Sequence, residues 1–215
     1  MSVRNLQSPL AFIFVAAIAS PLIAQYKMEP VAEPPAELDP AIRASLAKEG
    51  FKIISSDGKV ISEIWFRTPL PWGPKANEDS VSLPTIPHGS VLGAIRFPAT
   101  GADRRGQTLK PGVYTLRFSY YPQNGDHQGV APQRDFLILT PAADDKDLNA
   151  TPNFDALMGM SRKASGTPHP AVLSFWRQDV DFTPGFDKLG EQDWVLQLKI
   201  GDTPIAVVLI GKAEG

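Results

Sequence analysis

The chain has 215 residues, 43% hydrophobic and 20% charged, a balance that excludes the disordered and fibrous classes and leaves room for one domain or two small ones. Lys and Arg number 21 against 23 Asp and Glu, so the net charge of −2 provides no basic excess to hold nucleic acid or an anionic membrane. Cysteine is absent, which excludes disulfides, thiolate metal sites and a cysteine nucleophile, while 21 prolines and 17 glycines divide the chain into short pieces and favour an all-β architecture.

Arg4 precedes an apolar run, Leu10–Ala24 (LAFIFVAAIASPLIA). A basic start followed by a run of this length is the pattern of a cleaved export signal. The run is shorter than the roughly 20 residues a membrane span needs, and Ser20-Pro21 interrupts it. Ala17-Ile18-Ala19 fits the small-x-small rule best, while cleavage after Ala24 places the helix-breaking Pro21 just before the cut and is the preferred site. Residues 1–24 are therefore expected to be a signal peptide, with a periplasmic or secreted product and no stable membrane span after cleavage.

Residues 25–50 read as a Pro-rich extended linker followed by a short helix. In that helix Asp39 is the N-cap, Pro40 the first helical residue and Gly50 the terminator, with Ile42 and Leu46 on one face. Residues 51–215 are expected to form an antiparallel β-sandwich, jelly-roll-like, of about eight strands. Phe51–Ser55 and Lys59–Arg67 flank Asp57-Gly58, a strong hairpin signal. Ser90–Phe97 follows a Pro-rich loop. Val113–Tyr120 alternates, with Tyr114, Leu116, Phe118 and Tyr120 on a core face and Val113, Thr115, Arg117 and Ser119 on a wetter one. Asp135–Thr140 is apolar on both faces. Thr151–Gly166 is expected to be a helix capped by Thr151 and stopped by Gly166, and Ala171–Trp176, Asp193–Ile200 and Ile205–Ile210 to be strands.

Phosphate-loop, dinucleotide, zincin, nucleophile-elbow and calcium-loop motifs are absent. Ser45-Leu46-Ala47-Lys48 fits S-x-x-K without the companion motifs its chemistry needs. Alternating loop ends place the loops of His88, His127 and the pair Asp179 and Asp181 at one end of the sandwich and that of His169 at the other. His88 and His127 are the candidate ligands for a divalent metal, although no pair has the close spacing of a dedicated site. Met28, Met158 and Met160 suit a soft metal, but Met158 lies on the helix's apolar stripe, where packing explains it.

The loop Gly125–Phe136 is the most unusual segment. Asp126 is placed to orient His127 for acid–base work, and Arg134, beside Asp135, to hold an anionic group; the structural alternative is that Arg134 and Asp135 tie a long loop to the sheet edge. Pro111-Gly112-Val113-Tyr114-Thr115-Leu116, followed by Asp126-His127-Gln128-Gly129-Val130 and Arg134-Asp135-Phe136, resembles a family of uncharacterised exported bacterial proteins. The resemblance implies export and a β-sandwich-like domain and carries no activity with it. Trp72, in a Pro/Gly loop, and Tyr121 are candidate binding aromatics. The residues point to a non-enzymatic module of the cell envelope that binds a small molecule, a glycan or an envelope protein through loops at one end, with no cofactor. The alternative is a metal- or histidine-assisted hydrolase built on Asp126, His127, Arg134 and Asp135.

Overall fold

In the computed structural model, which describes residues 26–121, 134–179 and 181–213, the chain is all-β. Its strands are β1 (Lys27–Val31), β2 (Gly50–Ile54), β3 (Val60–Phe66), β4 (Val91–Phe97), β5 (Gly101–Ala102), β6 (Thr108–Leu109), β7 (Gly112–Tyr120), β8 (Asp135–Pro141), β9 (Val172–Arg177), β10 (Gly185–Leu189), β11 (Asp193–Ile200) and β12 (Thr203–Ile210), and its helices α1 (Pro40–Ser45) and α2 (Phe154–Ser165). Ten strands form one antiparallel sheet in the order β1-β2-β3-β4-β7-β8-β9-β12-β11-β10, while β5 and β6 make a small separate hairpin. The expected sandwich of about eight strands is thus one continuous sheet that curls towards a barrel. Its two edges approach through Tyr26, whose ring packs edge-on against Phe186 of β10 and Trp194 of β11, at 6.5 and 5.1 Å between centroids.

Period-two burial builds the interior. Tyr114, Leu116 and Phe118 of β7 point into one core with Ile64 and Phe66 of β3, Leu137 and Leu139 of β8, and Val207 and Leu209 of β12. The loop between β3 and β4 closes one end of this core by inserting Leu70, Val81, Leu83 and Ile86, and the β4–β7 connection inserts Leu109. The outer face is covered twice. Leu38, Ile42 and Leu46 pack over Trp65, Val91 and Ala94. Leu157 and Met158 of α2 pack over Phe136, Ile138 and Val172.

Four local expectations change. Residues 27–31, read as linker, are edge strand β1; Pro30 is tolerated because an edge strand can forgo a ladder donor. The first helix keeps its Asp39 cap and Pro40 start but stops at Ser45, where Leu46 turns extended and bridges to Arg67. Gly50 opens β2 instead of ending a helix, and a β-carbon there would lie 2.4 Å from the Ile64 carbonyl oxygen. The second helix ends at Gly166 as expected, in the left-handed conformation, but its N-cap is Asn153, whose side chain accepts from the Ala156 amide. Finally, the outward face of β7 is dry: residues 142–153 run back over Thr115 and Arg117, and Ser119 is buried against His88.

Candidate functional site

Arg134 and Asp135 stand where β8 begins, and both hold the β3–β4 loop. The fully buried Asp135 carboxylate accepts hydrogen bonds from the amides of Ser82 (2.6 Å) and Leu83 (3.3 Å). Burial pushes its pKa above the ordinary carboxylate value, and these donors act against that rise. Arg134 donates through Nε to the Tyr121 carbonyl (2.9 Å), through Nη1 to the Asp79 carbonyl (2.6 Å) and through Nη2 to Glu78 Oε2 (3.0 Å). Its guanidinium also lies over the Tyr120 ring, 5.6 Å from the centroid. A fork engaged in this way anchors a loop; it does not present the free bidentate face expected for an anionic ligand. Asp135 likewise faces the interior, not a ligand.

These anchors shape an open cleft of about 610 Å³ at the loop end of the barrel. The β3–β4 loop contributes Asn77, Glu78, Asp79 and His88, the end of β7 contributes Tyr120, and Asn153 and Phe154 come from the start of α2, with Arg134 between them. The His88 ring stands edge-on to Tyr120 at 5.3 Å and tilted against Phe154 at 6.3 Å. One of its nitrogens bonds the backbone of Pro152. Proline has no N–H, so the imidazole must donate to the carbonyl. Nε2 lies 2.9 Å from Ser119 Oγ and, in the neutral ring, accepts the hydroxyl proton. Burial lowers the pKa of His88, which keeps the ring neutral. Ser119 is fully buried and does not line the cleft, so this serine–histidine contact positions the ring and does not expose a nucleophile.

The structure brings His88 and Arg134 to one cleft and separates other sequence candidates from it. Tyr121 is buried and stacked on Phe136 at 5.1 Å, because it packs under α2. Trp72 is 54% exposed on the same loop as His88 but outside the cleft lining. Asp179 and Asp181 are exposed and do not line it. His169 lies in the turn before β9, its carbonyl accepting from Ser165 Oγ. Asp126 and His127 lie outside the described residues. Among the described residues no three His, Asp or Glu side chains gather as a metal-holding group. Met158 packs in the core beneath α2, and Ser45 ends α1 with its hydroxyl on the Ile42 carbonyl, Lys48 standing exposed beyond it.

Sequence reasoning did not single out Glu78, Asp79, Tyr120, Asn153 or Phe154 as cleft residues. The one signal available was Pro152-Asn153 at a helix start, which places polar side chains at a loop end. The chain matches no protein-family model, no curated protein and no solved structure.

Proposed function

We propose that this protein is an exported, non-enzymatic binding module of the cell envelope that holds a small ligand in the cleft beside His88. The observation that carries the reading is the cleft itself. Four separate segments build it, its volume lies within the range of about 300–1,000 Å³ usual for small-molecule sites, and its ionic groups are held in place by the fold. Arg134 is engaged with three backbone or carboxylate acceptors, and His88 with Ser119 and Pro152. Groups fixed in this way give a stable shape; a proton-transfer catalyst needs a base that is within reach of the substrate. The basic start and apolar run of residues 1–24 support export, and the resemblance to exported bacterial proteins points the same way. No helix among the described residues is long and apolar enough to cross a membrane.

Native mass spectrometry of the protein purified from the periplasm tests the reading. A small molecule retained under gentle conditions, and lost when Phe154→Ala opens the cleft wall, supports it. Turnover of an ester, amide or phosphoester panel that disappears in His88→Ala overturns it in favour of a hydrolase.

A further inference from the structure

We infer that the ligand of the cleft is a neutral carbohydrate, a mono- or disaccharide that lays a C–H face against Phe154; this rests on the binding reading above. The electrostatics of the lining narrow the ligand class. An anion meets the carboxylates of Glu78 and Asp79, and the cation beside them, Arg134, already donates to Glu78 and to two carbonyls. A cation fares no better, because the Glu78 carboxylate is already paired with Arg134 and the Tyr120 face holds the same guanidinium. His88 adds no charge, since burial keeps it neutral.

What remains is an uncharged molecule with both an apolar face and many hydroxyls. The Phe154 ring supplies the first half: its negative face suits the weakly positive C–H bonds of a pyranose. Planar polar side chains supply the second. Asn153 uses Oδ1 to cap α2, which leaves its Nδ2 hydrogens as donors. Glu78 places Oε2 on Arg134 and keeps Oε1 as an acceptor. Asn77, exposed on the rim, offers both a donor and an acceptor. Hydroxyl groups, which donate and accept at once, are the natural complement of such a mixed set.

Saturation-transfer NMR on the full purified protein tests the assignment. The probes are chitobiose, cellobiose, maltose and trehalose, with methyl phosphate and tetramethylammonium as charged controls. The expected result is transfer to the ring C–H protons of at least one neutral sugar. Asn77→Ala is expected to weaken binding by about three- to tenfold, the effect of one lost hydrogen bond, and Phe154→Leu by about tenfold, the effect of a lost stacking contact. An unchanged amide spectrum in each variant keeps folding out of the result. Transfer to a charged control alone, sensitive to Phe154→Leu, overturns the carbohydrate assignment and leaves the binding cleft standing. No transfer from any probe, together with no co-purifying molecule in native mass spectrometry, overturns both.

Discussion

Arg117 and Asp145 form an ion pair that neither partner shares with solvent: Nη2 meets Oδ1 at 2.6 Å and Nε meets Oδ2 at 2.7 Å, with side-chain exposures of 1% and 2%. The pair stitches the outward face of β7 to the segment that leads into α2. The remaining guanidinium hydrogens reach the carbonyls of Gly89, Ala150 and Asp147, and Thr115 donates its hydroxyl to the same carboxylate. Gly89 follows His88 and Ala150 lies three residues before Asn153, so this buried cation holds together two of the segments whose side chains line the cleft.

Removing one partner strands the other charge in a dry site. Asp145→Ala is expected to cost about 3–5 kcal/mol of stability, and the pair Arg117→Met with Asp145→Leu much less than the sum of the single changes. A double-mutant cycle in urea, followed by tryptophan fluorescence, measures this. Additive single effects would show that the pair is not the link described.

Asp135 gives a second test, because its carboxylate is buried for the sake of two amides. Asp135→Asn keeps a carbonyl oxygen for the Ser82 or Leu83 amide and removes the buried charge, so it is expected to be tolerated. Asp135→Ala leaves both amides unpaired, at about 1–3 kcal/mol each. The pH profile follows from the raised pKa. Between the ordinary carboxylate pKa and the raised one, the folded protein keeps a proton that the unfolded chain has released. This group therefore makes stability fall as pH rises across that window. Thermal melts of wild type and Asp135→Asn from acid to neutral pH are expected to differ by that slope.

Much of this architecture was legible in the residues, for a physical reason. Tyr114, Leu116 and Phe118 alternate because one face of the sheet is a continuous interior, and the Asp57-Gly58 hairpin and the Gly166 stop are local chemistry. The edge strands were not legible. In β10, Asp187 and Lys188 are exposed, and β1 carries Pro30, so neither reads as a strand by burial. The expectation of a wetter face at Thr115, Arg117 and Ser119 failed because residues 142–153 cover the first two and the loop carrying His88 meets the third, tertiary relations that no local pattern announces. His88 and Arg134 stood out as polar groups in loops, whereas Asn153, Glu78 and Tyr120 gain their place only when three segments meet.

His88 titrates in the opposite sense to Asp135. Its folded pKa lies below the ordinary histidine value, so below about pH 6.5 the unfolded chain takes up a proton that the folded protein refuses. Stability from this group is complete above that pH and declines as pH falls towards the folded value. His88→Asn is expected to lower stability at pH 8, through loss of ring packing against Tyr120 and Phe154, and to flatten the decline as pH falls below about 6.5. Melting temperatures of both proteins across that range check it; parallel curves would mean that His88 is charged or solvated in the fold.

Export makes a prediction at the start of the chain. Intact mass measurement of the protein recovered from the periplasm is expected to give an N-terminus at Gln25, from cleavage after Ala24. An N-terminus at Ser20 places the cut after Ala19, and recovery of the whole chain in the membrane fraction contradicts export as a cleaved product.

With that cut, Tyr26 becomes the second residue of the mature chain, yet it is the residue that draws the two edges of the sheet together. Its ring meets Phe186 and Trp194, and those two rings pack on each other at 5.6 Å, so three aromatics from both edges form one cluster. Each such contact contributes about 0.5–1.5 kcal/mol beyond its burial. Tyr26→Ala is therefore expected to cost about 1–3 kcal/mol and to shift Trp194 towards water, seen as a red shift in fluorescence in a background where the other tryptophans are Phe. Because Tyr26 and Phe186 act in one cluster, Tyr26→Ala with Phe186→Ala should cost less than the two added separately. A curled sheet held closed elsewhere would instead give additive losses and an unmoved emission maximum.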